Sequence, residues 1–307
     1  KLTFPVNAKA QDVFNYIGAK PISAFDNIEF KPLNTKGNVD AVVDITIPLL
    51  KDLPIEDVKV VVTGGAKGIG GACVKAFTEG GAKVCILDID QAGQEFADTL
   101  GDNTFFIHCD VSKENEVKIA FQEIEKRLGT VEILVNNAGI QRYSTVTETS
   151  EEEWDLVMNV NLKSAFLCSK YAIPMMVNNK KGCVINVASV QSFISQKNVA
   201  PYTTSKTALL GLTRSIAVDY APNIRSVAVC PGTVDTPMFR NSIQESPNPD
   251  EVLEECNEMH LVKRICSSEE VGELITYLAS DKAGFITGQA IRIDGGLGIT
   301  IGGSKRD

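Results

Sequence analysis

Tyr202 and Lys206, in the run YTTSK, are the two side chains of this sequence best suited to moving a proton. On a helix they stand at i and i+4 and share a face, so the lysine charge can reach the phenol. A free phenol titrates at about pH 10 and is a poor base at neutrality. An ammonium about 4 Å away is worth about 4 kcal/mol at an effective dielectric of about 20, or about three pKa units. The spacing therefore predicts a Tyr202 phenol drawn toward the working pH, where general acid–base catalysis is most efficient. Ser189, in NVASV, can donate a hydrogen bond to a substrate oxygen and stabilise negative charge developing there.

A second constellation suits a phosphate ligand. Residues Thr63 to Gly70 read TGGAKGIG. Gly64, Gly68 and Gly70 let the backbone turn tightly and approach a pyrophosphate, which then sits on the free amides of a helix start, with Lys67 and Ile69 in the same turn. Asp88 ends the next apolar run, where a carboxylate accepts from adenosine ribose hydroxyls and repels the extra phosphate of NADP. Like charges about 4 Å apart cost about 4 kcal/mol, nearly three decades of discrimination, so the expected cofactor is NAD. Lys67 is the opposing signal, either a partner for a 2′-phosphate or a solvated lysine.

These groups need a scaffold that brings them to one edge. From about Val58 onward, β-branched runs alternate with amphipathic stretches, the pattern of an α/β fold with a doubly wound parallel sheet of Rossmann type. Strands are predicted over 59–63, 83–88, 105–109, 132–136, 183–187, 225–230 and 290–294, with a helix from about Gly70 to Glu79. In such a sheet ligands gather at the carboxyl ends of the strands, where the strand order reverses. Residues 1–55 do not fit the repeat. They carry Pro5, Pro21, Pro32 and Pro48 and a strand-like alternation at Asp44 to Ile47, and read as an N-terminal arm or small subdomain ahead of a single catalytic domain over 56–307.

Composition narrows the function. A chain of 307 residues, 44% apolar and with a net charge of -9, has a large core and no basic surface for nucleic acid or anionic lipid. Its 8 cysteines are scattered without a C-x-x-C pair and read as buried apolar residues of a reducing compartment. With 2 histidines, a histidine-built metal site is not expected. No apolar run approaches a membrane span. The expected setting is cytoplasmic, with a small-molecule substrate and neither nucleic acid nor membrane as partner.

Further motifs stand in order along the chain: NNAG at Asn136 to Gly139, Asn161 in VNLKSAF, and PGTVDTPM at Pro231 to Met238. Together with TGGAKGIG, Ser189 and YTTSK they make the sequence from about Lys59 to Gly298 resemble the short-chain dehydrogenase/reductase family. The resemblance implies an oxidoreductase with Asn161, Ser189, Tyr202 and Lys206 as catalytic residues, Asn161 holding a water relay from Lys206 to solvent. It implies cofactor contacts from Asp110 and Val111 on the adenine side, from Asn137, Ala138 and Gly139, and from Pro231, Gly232, Val234 and Thr236 around the nicotinamide. It also implies a homo-oligomer, a tetramer or dimer, joined through the helices around Asn161 and Tyr202 and through the last strand. The apolar residues Leu209, Leu210, Leu212 and Ile216 suit that interface or a buried core.

Substrate choice is expected from Gln141, Arg142 and Tyr143, from Gln191 and Ser192, from Asn198, and from a mobile lid over 239–260. Between Ser189 and Tyr202 the sole cation is Lys197, and no arginine is there to clamp a carboxylate. Amides and hydroxyls favour a neutral sugar or polyol. A ketoreductase, hydroxy-acid or steroid dehydrogenase is the alternative, left open by Met238, Phe239 and Leu253, with Arg142 or Arg240 available to an acid. A non-catalytic dinucleotide sensor is a third reading, against which the intact set of Asn161, Ser189, Tyr202 and Lys206 stands.

Overall fold

The computed structural model describes residues 55–299 and, as backbone, the short strands β1 (Thr3–Phe4) and β2 (Ala41–Val42). The chain divides into two compact units, Lys1–Leu49 and Leu50–Asp307. Within the first, β1 and β2 pair antiparallel. The alternation at Asp44 to Ile47 lies outside the described residues.

The second unit is built on seven parallel strands: β3 (Lys59–Thr63), β4 (Lys83–Asp88), β5 (Thr104–His108), β6 (Ile133–Asn136), β7 (Gly182–Val187), β8 (Ile224–Pro231) and β9 (Ala290–Ile293). Their order across the sheet is β5-β4-β3-β6-β7-β8-β9. The chain thus runs outward from β3 to β5, then returns to β6 on the other side of β3. That reversal opens a crevice above the carboxyl ends of β3 and β6.

Both faces of the sheet are covered, which is why its strands read as continuous apolar runs rather than alternating ones. Val60, Val62, Val84 and Ile86 point to one side, packing with Cys73, Val74 and Phe77 of helix α1 (Gly68–Glu79) and Val271, Ile275 and Leu278 of α9 (Ser268–Ala279). Val61, Cys85 and Leu87 point to the other, where α3 (Glu114–Leu128) brings Val117, Phe121 and Ile124 and α5 (Ser164–Asn179) brings Leu167, Cys168 and Met176. Each fully buried side chain of this kind contributes about 1.5–3 kcal/mol of transfer free energy.

The remaining helices are α2 (Ala92–Leu100), α4 (Glu151–Met158), α6 (Ala200–Tyr220), α7 (Pro237–Gln244) and α8 (Pro249–Met259). Ser150 caps α4 by accepting from Glu153 N, as the acidic run Glu151–Glu153 suggests for a helix start. Ser267 and Glu270 form a reciprocal capping box on α9.

The observed elements differ from the sequence reading in several places. Helix α1 begins at Gly68, before Gly70, so the phosphate-suited turn already belongs to the first helical residues. Strand β5 begins and ends one residue early, at Thr104 and His108. The stretch 239–260, expected as a mobile lid, is largely helical. It folds into α7 and α8, each with proline in its first turn, where a missing N–H costs nothing.

Candidate active site

The glycine turn is shaped by contact rather than by flexibility alone. Gly64 and Gly68 have φ of 62° and 58°, a region that disfavours any Cβ. A Cβ on Gly70 would lie 2.0 Å from Gly64 O and 2.5 Å from Asn137 Nδ2. Asn137 spends its amide holding the turn, donating to Thr63 O at 3.0 Å and to Gly64 O at 2.9 Å. Thr63 Oγ1 accepts from Asn137 N and Ala138 N, both at 3.0 Å. The NNAG run is therefore a bracket between the carboxyl ends of β3 and β6. At its far end, a Cβ on Gly139 would lie 3.3 Å from Lys206 Nζ and 3.4 Å from Asn161 Oδ1, a tight fit.

At the other end of the turn, Asp88 Oδ2 accepts from Ala66 N at 3.0 Å and Oδ1 from Asp90 N at 2.9 Å. Each oxygen keeps acceptor capacity toward the crevice. Lys67 forms an exposed pair with Asp90, Nζ to Oδ2 2.9 Å. The cation that was the counter-signal to NAD is thus already answered by a carboxylate.

Tyr202, Lys206, Ser189 and Asn161 come together across α6, the end of β7 and the helix pair α4–α5. Between α4 and α5 the chain makes a π-helical turn, Asn159–Lys163, which turns Asn161 inward. Asn161 Oδ1 accepts from Ile140 N at 2.8 Å, and its Nδ2 donates to Ile140 O at 2.9 Å and Ser205 Oγ at 3.0 Å. Both of its donors are spent on protein atoms, leaving one Oδ1 lone pair for a water. Ser189 caps the short 3₁₀ turn 190–192, accepting from Gln191 N at 3.1 Å, so its own hydroxyl proton stays free to donate.

Lys206 is buried and donates to Val187 O at 2.7 Å, with Nζ 5.8 Å from the centre of the Tyr202 ring. Here the sequence reading needs correcting. Helix α6 places the pair at i and i+4, but the ammonium bonds the end of β7 instead of closing on the phenol. Burial pushes the Tyr202 phenol up to about 12, against a partly offsetting hydroxyl at Ser189. Burial likewise draws Lys206 down to about 8. Desolvation penalises the charged form of each group and is the largest cause of both shifts.

One cavity of about 1260 Å³ joins the two ends. It is lined by Gly64, Lys67, Gly68, Ile69, Asp88, Asp110, Val111, Asn137, Ala138 and Gly139, and by Ser189, Tyr202, Lys206, Pro231, Gly232, Val234 and Thr236. Gln141 and Gln191 also reach it. Gly70 and Asn161 lie behind the wall they shape. Thr236 Oγ1 accepts from Phe239 N at 3.2 Å as the cap of α7, and Val234 bridges to Cys266. Asp110 Oδ1 faces its own turn, accepting from Ser112 N and Oγ at 3.1 and 2.7 Å.

Asn198 is a correction: it is exposed and does not line the cavity. Its φ of 60° identifies it as the left-handed residue of the turn into α6, a conformation asparagine tolerates better than most residues. The face of Leu209, Leu210 and Ile216 is core within this chain, each residue being buried. Sequence reasoning missed Thr63, Ile140 and Val187, which act through main-chain atoms or a single hydroxyl and leave no compositional trace. Glu255 and Met259, inside the stretch 239–260 expected to govern substrate choice, are turned into the cavity by α8.

A glycine turn that excludes side chains, a carboxylate at the end of β4 and a Ser–Tyr–Lys cluster on one crevice define a dinucleotide-dependent oxidoreductase site. A family model described as "Enoyl-(Acyl carrier protein) reductase" matches residues 64–298. The chain is 43% identical over 242 residues to an uncharacterized oxidoreductase of Thermotoga maritima, covering 77% of this chain and 96% of the relative. It is 38% identical to dehydrogenase/reductase SDR family member 6 of Aquarana catesbeiana, covering 78% and 97%. Among solved structures, the ligand-free aldohexose dehydrogenase of Thermoplasma acidophilum superposes with a TM-score of 0.77 at 38% identity, covering 82% of this chain and 98% of that one. The chain belongs to the short-chain dehydrogenase/reductase family and binds a nicotinamide cofactor, NAD or NADP.

Proposed function

We propose that this oxidoreductase interconverts a secondary alcohol and a ketone on a neutral sugar or polyol, with NAD(H) as cofactor. The observation that carries the substrate class is the wall beside Ser189 and Tyr202. Thr203 Oγ1 donates to Gln191 Oε1 at 3.2 Å, and Gln191 Nε2 donates to Gln196 Oε1 at 3.3 Å. Ser195 Oγ joins Thr203 at 3.2 Å. This rail of amides and hydroxyls suits a ligand that both donates and accepts. Arg240, a candidate clamp for an acid, is forked onto Asp235 with two 2.6 Å bonds, and the cavity-lining Glu255 opposes an anionic ligand. The superposed aldohexose dehydrogenase supports the same class.

The residues fit the cofactor: Gly64, Gly68 and Gly70 clear the approach of a pyrophosphate, and Asp88 favours a ribose diol over a 2′-phosphate. When bound, the nicotinamide ring supplies the hydride chemistry. Ser189 donates a hydrogen bond from its hydroxyl to the substrate oxygen, and Tyr202 gives or takes the proton at its phenol oxygen. With its phenol held protonated, Tyr202 is ready as the acid for carbonyl reduction. Lys206 fixes the end of β7 and holds positive charge behind the phenol, and Asn161 fixes Ile140 behind both.

The same reading places the enzyme in the cytoplasm, as a homo-oligomer acting on small molecules rather than on nucleic acid or membranes. All 8 cysteines are free, in keeping with a reducing compartment, and no described helix is long and apolar enough to cross a membrane. Exposed Phe166 of α5 and Val218 of α6 offer apolar surface for a second copy. The test is a panel of sugars, polyols, hydroxy acids and steroids, following NADH formation, repeated with NADP and with Tyr202→Phe. Turnover confined to hydroxy acids or steroids would sink the substrate class.

A further inference from the structure

His260 is one of 2 histidines in the chain and belongs neither to the glycine turn nor to the Tyr202 cluster. It directly follows the last residue of α8 and is 2% exposed. Its ring is gripped at both nitrogens: Nδ1 lies 2.6 Å from the carbonyl oxygen of Cys256, one turn back in α8, and Nε2 lies 3.1 Å from the main-chain nitrogen of Thr233. A carbonyl accepts and an amide N–H donates, so Nδ1 carries the proton and Nε2 is the acceptor. Glycines on either side admit the ring. A Cβ on Gly232 would sit 2.7 Å from Nε2, and one on Gly295 would sit 3.2 Å from Cδ2.

The two segments bridged by this ring both line the cavity. Thr233 belongs to the segment after β8 that lines the cavity from Pro231 to Val234, with Gly232 N also bonded to Ile293 O at 3.0 Å and Thr233 O to Cys266 N at 2.9 Å. Helix α8 contributes Val252, Glu255, Cys256 and Met259 to the cavity while burying none of its own residues. At its C-terminal end, Asn257 Oδ1 accepts from Ile265 N at 2.9 Å and His260 reaches Thr233.

We propose that His260 is a positioning residue that couples α8, the substrate-side wall, to the Pro231–Val234 segment, so that dinucleotide bound against that segment orders α8. The proposal rests on reading Pro231–Val234 as a nicotinamide contact. Dinucleotide that tightens the segment fixes Thr233 N, and through the imidazole the end of α8.

The test uses the full chain labelled with ¹⁵N-histidine, which gives two imidazole signals, exposed His108 being assigned by His108→Gln. His260 should appear as the neutral Nδ1–H tautomer and shift when NADH or, in a parallel arm, NADPH is added. Amide exchange in α8 should slow on dinucleotide binding by at least about fivefold in the wild type and by less than about twofold in His260→Leu. His260→Gln, whose side-chain carbonyl can accept from Thr233 N–H, should restore the slowing. An Nε2–H or charged ring at neutral pH overturns the proposal, as does equal protection of α8 in His260→Leu and wild type. Should the leucine variant not fold, the tautomer and the wild-type exchange still decide: absence of dinucleotide-dependent protection in α8 overturns it. Failure to turn over sugars and polyols with the protection intact would count against the substrate reading alone.

Discussion

The side-chain amide of Asn161 holds Ile140 at both ends of its peptide unit, accepting from the N–H at 2.8 Å and donating to the carbonyl at 2.9 Å. The π-turn of 159–163 makes this possible by turning Asn161 inward. Asn161→Ala should leave a half-buried N–H and carbonyl of Ile140 unpaired and lower unfolding free energy by about 1–3 kcal/mol. Urea denaturation checks it, and an unchanged midpoint would show that water replaces the clamp.

On the proposed reading, Asp88 rather than Lys67 sets the choice between NAD and NADP. Asp88→Asn removes the charge and keeps one acceptor, so the ratio of kcat/KM for NAD over NADP should fall by about tenfold to a thousandfold. Lys67→Ala should move the ratio by less than about threefold, because an exposed pair with Asp90 already occupies the lysine. A larger effect at Lys67 than at Asp88 would reverse the assignment.

The buried lysine gives a pH signature in stability. Lys206 falls from 10.5 to about 8 in the folded chain, so the fold binds fewer protons than the unfolded state between those values. Stability from this group therefore rises with pH across that window. Tyr202, raised from 10.0 to about 12, acts in the opposite sense above its unfolded value. Lys206→Met lacks the first contribution and keeps the second. The melting-temperature difference, wild type minus variant, should grow between about pH 7.5 and pH 10; a flat difference contradicts the burial argument.

Gly70→Ala tests whether the turn is packed or merely flexible. Its Cβ would meet Gly64 O at 2.0 Å, main-chain atoms that cannot rotate away. The expected cost is about 1–3 kcal/mol or more, with dinucleotide affinity falling alongside it. Calorimetry with and without NADH separates the two effects.

Tyr202→Phe should lower kcat by about a hundredfold to ten-thousandfold while dinucleotide affinity, read by fluorescence titration, stays within about threefold. A parallel loss of binding would mean that the phenol shapes the cavity rather than moving the proton.

The strands were legible because a sheet buried on both faces demands continuous apolar runs, and Val60, Val61 and Val62 supply one. The phosphate-suited turn was legible because close approach to a backbone tolerates no Cβ. Helices α7 and α8 were not, since they bury almost nothing and their polar sequence carries the same composition as a loop. The sign of the Tyr202 shift also escaped the sequence: i and i+4 spacing says two groups share a face, but not that Val187 O, fifteen residues before Tyr202 in the chain, accepts the lysine's hydrogen bond. His260 carries no sequence signal of its role, because its partners are main-chain atoms that no motif marks.

Helix α8 supplies four residues to the cavity and none to the core. Under selection, that separates the two things an enzyme must conserve. Substitutions at Val252, Glu255 or Met259 are expected to change what is accepted as substrate at little cost to folding, whereas a change in the turn around Gly64 and Gly70 costs stability and dinucleotide binding together. New specificities in this chain are reached through its most loosely attached helix, with the dinucleotide end left as inherited.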